Sequence, residues 1–241
     1  MLTWLANRPK NNPLIIAHRG ASLEMPENTL GAFRLAIEQG ADGLEFDLHL
    51  SADGVPVIIH DATLERTTNG NGRVADWTFE QLQVLDAGNG EQIPSLDQLF
   101  SEFGGSTLYN IELKNYSIWK TGIEQTVRQL IQHFNLEQQV LISSFQPAHL
   151  RRYRNLPDNR TNPLTALVRY KGFGITRHFY RGEADHPWHQ MVDENYMDWA
   201  TRNNLRVHTW TVDDLDEARR LTDLGAHGII TNRPGYLQAH L

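Results

Sequence analysis

Short apolar runs rich in β-branched residues recur along the chain and alternate with amphipathic stretches. Eight of these runs predict strands, at residues 14–18, 44–50, 108–114, 140–145, 164–170, 184–188, 205–212 and 228–231. A regular alternation of strands and helices is typical of parallel strands joined by crossover helices, and eight strands is the number that closes a barrel. The pattern therefore predicts an α/β fold, a TIM (β/α)8 barrel.

The stretches between the strands carry signals for the start and the end of helices. One helix is predicted to begin after Pro26-Glu27-Asn28-Thr29 and to end at Gly40. Another is predicted to be capped by Asp213 or Asp214 and to end at Gly225.

The region after the second predicted strand breaks this rhythm. Asp53-Gly54 predicts a hairpin turn that sends residues 55–60 back antiparallel to the second strand. The next regular helix is predicted to start at Ser95, with Gln98 completing a capping box. We therefore expect one barrel domain over residues 1–241, with an insertion at about 51–94 between the second strand and its helix.

Composition excludes several classes of function. The formal net charge is −7 and no basic run is present, which is the opposite of a typical nucleic-acid binder. The absence of cysteine excludes disulfides and thiolate chemistry, so any metal must be held by oxygen or imidazole. Residues 1–13 contain no apolar signal core and no run approaches membrane-spanning length. We expect a cytoplasmic protein without a membrane anchor, and the sequence does not indicate its oligomeric state.

Two histidines bracket a pair of carboxylates in the first quarter of the chain. Glu45 and Asp47 lie two residues apart in an alternating, strand-like run, so both leave the same face and can hold a hard cation. His18 and His60 each end an apolar run, as residues do when a strand delivers them to a site. Arg19 has a planar fork that suits two phosphate oxygens at once. Together these residue types indicate phosphoryl chemistry; the alternative is a buried structural histidine beside a surface arginine.

A later strand adds a third carboxylate and a fixed cation. Glu112 and Lys114 share one face at the C-terminal end of the strand predicted at 108–114. An ion pair on an exposed strand is the alternative, but the inner face of a barrel strand is not exposed. Three carboxylates without cysteine favour Mg²⁺ or Ca²⁺ over zinc.

Four features have more than one interpretation. His49 continues the face of the carboxylate pair and is either a ligand or a solvated hairpin histidine, and its place near the turn favours the second. Asp61 either orients His60 or starts the following turn. Trp210 either contacts substrate or packs in the core. Residues 171–181 mix cations and aromatics, and we expect a solvated loop.

In order and spacing, these motifs resemble the glycerophosphodiester phosphodiesterase family over essentially the whole chain. The resemblance lies in His18-Arg19-Gly20, Pro26-Glu27-Asn28-Thr29, Glu45-Phe46-Asp47, Asp53-Gly54, His60-Asp61, Leu64-Glu65-Arg66-Thr67-Thr68-Asn69-Gly70, Ile111-Glu112-Leu113-Lys114 and Trp210-Thr211-Val212. It implies a TIM barrel with a small insertion after the second strand. It also implies a divalent metal on Glu45, Asp47 and Glu112, phosphate contacts from Arg19 and Lys114, and acid–base catalysis by His18 and His60. The chain is most similar to the short cytoplasmic members.

The reaction implied by this resemblance is hydrolysis of a glycerophosphodiester to sn-glycerol 3-phosphate and an alcohol. Attack by the neighbouring glycerol hydroxyl, through a cyclic phosphate, is the favoured route, and direct attack by water is the other. The sequence does not show which histidine acts first. Two rivals stay open: a phosphodiesterase resembling the sphingomyelinase D group, whose secreted members use disulfides, and a catalytically idle barrel that binds a phosphorylated metabolite or a partner.

Overall fold

Eight parallel strands of the described residues close into a barrel, and one short antiparallel strand lies beside the second of them. The structure is a computed structural model that describes residues 4, 8–9, 11–114, 122–157, 164–170 and 182–241. The strands are β1 (Leu14–His18), β2 (Gly43–Leu50), β3 (Pro56–Ile58), β4 (Leu108–Leu113), β5 (Val140–Ser144), β6 (Leu164–Arg169), β7 (Ala184–Pro187), β8 (Arg206–Thr209) and β9 (Gly228–Thr231). Because β1 pairs in parallel with both β9 and β2, the sheet closes, which confirms the predicted TIM barrel.

Helices cover the outside of the barrel. They are α1 (Leu30–Glu38), α2 (Phe79–Gln83), α3 (Leu96–Phe103), α4 (Ile123–His133), α5 (Pro147–Arg154), α6 (Glu194–Arg202), α7 (Leu215–Asp223) and α8 (Pro234–His240). The burial of an apolar face holds α1 to the strands: Phe33 packs edge-on against Phe46 of β2, with ring centroids 5.7 Å apart. The buried residue of α2, Leu82, packs instead in the segment between β2 and α3. No helix among the described residues is both long enough and apolar enough to cross a membrane.

The predicted helix signals have direct structural counterparts. Thr29 caps α1 by accepting a hydrogen bond from the Ala32 N–H at 3.2 Å, and Gly40 ends the turn after it with φ +85°. Ser95 accepts from the Gln98 N–H at 3.1 Å while the Gln98 side chain accepts from the Ser95 N–H at 3.0 Å, which is the predicted capping box of α3.

The strand boundaries of β1 and β9 match their predictions. The eighth barrel strand, β8, ends before the predicted boundary at residue 212, because Trp210 makes only an isolated bridge to Trp188. The loop predicted at 171–181 lies outside the described residues.

The segment between β2 and α3 contains the hairpin. Gly54 has φ +82° where the chain reverses, and β3 then pairs antiparallel with β2. One separate cluster of apolar side chains lies in this segment: Val57, Ile59, Leu64, Val74, Leu82, Ala87 and Ile93. The segment thus has a small core of its own. That residues 1–241 form one domain stays a prediction.

Side chains inside the barrel change from apolar to polar along the strands. A buried cluster lies toward the N-terminal ends: Trp4, Leu14, Ile16, Leu108, Leu141, Ala166, Ala184 and Ile230. Toward the C-terminal ends the strand register places His18 beside Glu45, and Asp47 beside Glu112. The polar groups therefore meet at the end of the barrel where TIM-barrel proteins carry their sites.

Candidate active site

Three buried carboxylates converge at the C-terminal end of the barrel. One oxygen each from Glu45, Asp47 and Glu112 lies within 4.8 Å of the other two. These side chains are buried, and the Oε2 atom of Glu45 has no hydrogen-bond partner in the part of the chain that the structure describes. An all-oxygen cluster with an unpartnered buried oxygen fits a hard divalent cation, because such a cation would supply the missing partner.

Two basic side chains border the carboxylates. The Lys114 Nζ atom lies 2.7 Å from Glu112 Oε1 and 3.2 Å from Asp47 Oδ1. The Arg19 Nε atom faces Asp47 Oδ2 at 3.2 Å from the other side, but it makes no hydrogen bond to any described residue. Arg19 itself has φ +58°, a left-handed conformation that turns the chain sharply after β1. A buried guanidinium N–H beside Asp47 is therefore available to an anion.

The charges in this cluster shift the pKa values of its carboxylates in opposite directions. Burial, together with the charges of Asp47 and Glu112, raises the pKa of Glu45 well above its usual value. Burial also raises the pKa of Glu112, to about 7, although Lys114 opposes it. For Asp47 the nearby charges of Lys114 and Arg19 outweigh burial, and its pKa lies below the usual range. Without a cation, protonation of Glu45 and Glu112 is therefore favoured, and a bound cation would displace these protons.

His18 is oriented by a side chain from the other end of the sequence. Its Nδ1 atom lies 2.7 Å from Asn232 Oδ1, and Asn232 Nδ2 donates to Asp213 Oδ2 at 2.7 Å. Because a carboxylate only accepts, the amide oxygen of Asn232 must face His18, so His18 Nδ1–H is the donor. The Nε2 atom then points toward Glu45 Oε2, 3.9 Å away. Burial, with the Arg19 charge, lowers the pKa of His18 to about 4, which favours neutral imidazole.

Asp213 was one of two predicted caps for α7, and its actual contacts differ from that role. The side chain that caps α7 is Asp214, which accepts from the Glu217 N–H at 2.9 Å. Asp213 instead accepts from the backbone N–H of Asn232 at 2.8 Å, besides its side-chain amide. It therefore fixes the group that orients His18.

His60 is oriented by its neighbour in the chain. Its Nδ1 atom lies 2.6 Å from Asp61 Oδ1, so of the two interpretations of Asp61 the structure supports the orienting one. Burial lowers the pKa of His60 below its usual value, and Arg19 adds to the effect of burial. His49 is half-buried, with its Nε2 atom 3.1 Å from the His60 carbonyl oxygen, so it is not the solvated hairpin residue that we expected.

Aromatic side chains form one side of the cavity above the carboxylates. Trp210 lines this cavity together with His18 and Glu45, and its ring centroid is 5.6 Å from that of Phe145. The indole N–H donates to the His186 carbonyl oxygen at 2.8 Å. Both predicted roles of Trp210 are thus compatible with its position, since it is anchored in the fold and faces the cavity.

Several polar residues of the site were not identified from the sequence. Asn232 and Asp213 orient His18, and Asn28 donates from Nδ2 to Asp47 Oδ2 at 3.1 Å. Asn232 could have been identified from its position in the sequence, because it directly follows the last strand, at the same end of the barrel where His18 ends the first strand. Glu27 and Arg66 lay in the quoted motifs without a role, and the structure connects them to Arg19 and Asp61.

Sequence comparisons link the chain to known phosphodiesterases. A family model described as the glycerophosphoryl diester phosphodiesterase family matches residues 18–236. A glycerophosphodiester phosphodiesterase of Caldanaerobacter subterraneus is 37% identical over 239 residues, which cover 92% of this chain and 94% of that protein. A glycerophosphodiester phosphodiesterase of Bacillus altitudinis is 41% identical over 248 residues, which cover 91% of this chain and 94% of that protein.

Solved structures are similar over the same extent. A phosphodiesterase of Oleispira antarctica, in complex with the product sn-glycerol-3-phosphate, has a TM-score of 0.82 at 28% identity and covers 95% of this chain and 96% of its own. A glycerophosphodiester phosphodiesterase of Agrobacterium tumefaciens has a TM-score of 0.82 at 26% identity and covers 95% of this chain and 100% of its own. With its barrel, its site and these relatives, the chain belongs to the glycerophosphoryl diester phosphodiesterase family.

Proposed function

We propose that this protein hydrolyses glycerophosphodiesters to sn-glycerol 3-phosphate and an alcohol by metal-dependent acid–base catalysis. The observation that carries the proposal is the convergence of three buried carboxylates, two cations and two oriented imidazoles at one end of the barrel. Membership of the family supports it, as does the glycerol phosphate product bound to the Oleispira antarctica relative.

Glu45, Asp47 and Glu112 are the residues that would hold the cation, Mg²⁺ or Ca²⁺. When bound, a divalent cation supplies Lewis-acid stabilisation of negative charge on the phosphate. Arg19 and Lys114 add fixed positive charge on either side of Asp47, and we assign both to the non-bridging phosphate oxygens. Trp210 is a candidate contact for the substrate from the aromatic side of the cavity.

The two histidines bond through the same ring nitrogen, Nδ1, but to different partners. Both donate from Nδ1, so Nε2 of each is the atom that accepts or delivers a proton. The partner of His18 is a neutral amide, whereas the partner of His60 is a carboxylate, Asp61, which stabilises an imidazolium. We therefore assign His18 as the base and His60 as the acid of the first step.

In the favoured route the glycerol hydroxyl next to the phosphoester is the nucleophile. His18 takes its proton as the new P–O bond forms, and His60 protonates the alcohol oxygen as the old P–O bond breaks. The product of this step is a cyclic phosphate. Water then opens the ring with the roles of the histidines exchanged, and this restores their starting protonation states.

The experiment is a panel of diesters assayed for release of glycerol 3-phosphate with Mg²⁺ or Ca²⁺ and with chelator. The value of kcat/KM should differ little between glycerophosphocholine, glycerophosphoethanolamine and glycerophosphoglycerol. The polar groups of the site are assigned to the glycerol phosphate half, which all three substrates share. Chelator should abolish turnover. Rapid cleavage of a diester without the neighbouring hydroxyl would replace the cyclic route by direct attack of water. No turnover of any diester would favour the idle barrel.

The cytoplasmic location, the absence of a nucleic-acid partner and the oligomeric state stay outside this proposal. The cytoplasmic location and the absence of a nucleic-acid partner stay predictions from the sequence composition.

A further inference from the structure

Arg66 joins two carboxylates that belong to different parts of the site. Its Nε atom donates to Asp61 Oδ2 at 2.5 Å, and its two terminal nitrogens donate to the two carboxylate oxygens of Glu27 at 2.9 and 2.8 Å. One guanidinium thus makes three charge-assisted hydrogen bonds. We call the set of Asp61, Arg66 and Glu27 the Arg66 bridge.

Each carboxylate of the Arg66 bridge also holds a residue that interacts with the Asp47 carboxylate. Asp61 accepts from His60 Nδ1 at 2.6 Å, and Glu27 accepts from Arg19 Nη1 at 2.9 Å. A continuous path of ionic hydrogen bonds therefore runs from one imidazole to the guanidinium that borders Asp47. Among the described residues, Arg66 is neither part of the carboxylate cluster nor one of the residues that line the cavity above it.

The Arg66 bridge connects two segments that the barrel alone does not fix to each other. Glu27 lies between β1 and α1, and Asp61 and Arg66 lie in the segment between β2 and α3. Charges in the bridge keep both carboxylates ionised. Hydrogen bonding by Arg66 lowers the pKa of Asp61 to about 2. Burial raises the pKa of Glu27, but the hydrogen bonds from Arg66 and the charge of Arg19 outweigh burial and lower it below its usual value. Both carboxylates are therefore acceptors for the residues that they orient.

We propose that Arg66 is a positioning residue, which sets the Nε2 atom of His60 and the guanidinium of Arg19 at a fixed separation around the phosphate. This inference rests on the proposed function, because it takes His60 as an acid–base group and Arg19 as a phosphate ligand. Without Arg66, two carboxylates lose three hydrogen bonds, and Asp61 and Glu27 hold His60 and Arg19 independently of each other. An arginine is needed since a lysine ammonium has no planar fork that reaches both acceptors in fixed geometry.

The first test is Arg66→Gln, with Arg34→Gln as the matched control. Arg34 also pairs with a carboxylate at the surface, that of Glu102, and its side chain is 54% exposed, against 46% for Arg66. With glycerophosphocholine as substrate, Arg66→Gln should lower kcat/KM by about 10- to 100-fold, because small misplacements of reacting groups cost about this much. The control should stay within about twofold of the unmodified protein. Equal losses in the two variants would overturn the proposal.

The second test separates the two arms of the Arg66 bridge by their kinetic signature. Asp61→Asn should act mainly on kcat, through His60, and Glu27→Gln mainly on KM, through Arg19. Arg66→Gln should change both, and in an Asp61→Asn background it should lower kcat by less than about threefold further. If Arg66 had a purely structural role, its loss would lower the melting temperature, and the Asp61 and Glu27 variants would not differ in whether kcat or KM changes. Full additivity of Arg66→Gln and Asp61→Asn in kcat would contradict the inference.

If Arg66→Gln does not fold, Arg66→Lys can be compared with the unmodified protein and with Arg34→Gln instead. It should recover part of kcat/KM but not all of it, and full recovery would refute the need for a planar fork. The outcomes also distinguish the two proposals. Full activity of Arg66→Gln beside a large loss in His60→Ala would overturn the role of Arg66 alone, whereas full activity of His60→Ala would overturn the proposed function.

Discussion

The Nδ1 atom of His18 lies 2.7 Å from the Oδ1 atom of Asn232, although the two residues are 214 positions apart in the chain. His18 ends the first barrel strand and Asn232 follows the last, and those two strands pair in parallel. Closure of the barrel is therefore also the event that orients this imidazole. The Ser22 hydroxyl donates to the same amide oxygen at 2.9 Å and holds it from a second direction.

Asn232→Ala should lower kcat by about 10- to 100-fold, because His18 would lose the acceptor that fixes its tautomer and ring orientation. In a His18→Ala background the same change should have little further effect. Asn203→Ala is the control, because the Asn203 side chain also hydrogen-bonds, donating to the Trp199 carbonyl oxygen at 2.8 Å, but does so at the surface. Steady-state kinetics checks all four variants, and independent losses in the double variant would contradict the assignment.

His18→Ala and His60→Ala should each lower kcat by about 10²- to 10⁴-fold on glycerophosphocholine. A nitrophenyl diester of glycerol phosphate has a leaving group that needs no proton. If His60 is the acid of the first step, this substrate should restore much of the lost rate to His60→Ala and little to His18→Ala. Rescue of His18→Ala alone would reverse the two roles, and equal rescue would remove the division between them.

Binding of the cation should depend on pH, because the pKa of Glu45 is raised and that of Glu112 is raised to about 7. These groups carry protons that the cation must displace, so affinity should fall as pH decreases below about 7 and binding should release protons. Titration calorimetry of Mg²⁺ or Ca²⁺ in buffers of different ionisation enthalpy measures both effects. Constant affinity between about pH 5.5 and 8 would argue against carboxylate ligands.

The same titration tests the ligands one at a time. Asp47→Ala and Glu112→Ala should each lose cation binding and activity together, while the melting temperature shows that the barrel persists. Full turnover of either variant in chelator would refute the metal assignment.

An ion pair far from the site should set part of the acid sensitivity of the fold. Glu124 on α4 accepts from His149 Nδ1 at 2.7 Å and from Arg152 Nε at 2.8 Å. Although burial opposes it, these two partners lower the pKa of Glu124 to about 2. Because the folded pKa is the lower one, the stabilisation is complete above the unfolded value of about 4.5 and is lost as pH falls toward 2.

Glu124→Gln should therefore lower the free energy of unfolding by about 2 kcal/mol at pH 7, and by clearly less near pH 3. Glu102→Gln, which removes the partner of Arg34 in an exposed pair, should change it by less than about 1 kcal/mol at either pH. Thermal unfolding of the three proteins at both pH values makes the comparison. An equal loss at pH 3 and pH 7 would show that packing, not charge, stabilises this contact.

Local patterns were sufficient to predict much of the fold. Short apolar runs rich in β-branched residues predicted β1 and β9 with their observed ends, and the Asp53-Gly54 turn predicted the antiparallel β3. The capping box at Ser95 was readable because its partner lies three residues away. The three carboxylates were also predictable, since period-two spacing in parallel strands places them on one inner face.

The partners that orient the site were not predictable in the same way. No periodicity connects Asn232 to His18, because their contact depends on which strands pair when the sheet closes. Asp61 had two equal interpretations because adjacency in sequence does not fix a side-chain direction. His49 was expected in solvent, but its ring reaches the carbonyl of His60 once β3 folds back on β2.

The segment between β2 and α3 packs around an apolar cluster of its own, separate from the larger clusters around the barrel. This segment carries His60 and Asp61, whereas the three carboxylates lie on the barrel strands β2 and β4. Regions with separate small cores open locally with less free energy than a whole domain. On heating, such an opening would withdraw His60, the proposed acid, while the carboxylates stay in place. The enzyme is therefore expected to stop turning over at a temperature at which the three carboxylates can still bind a cation.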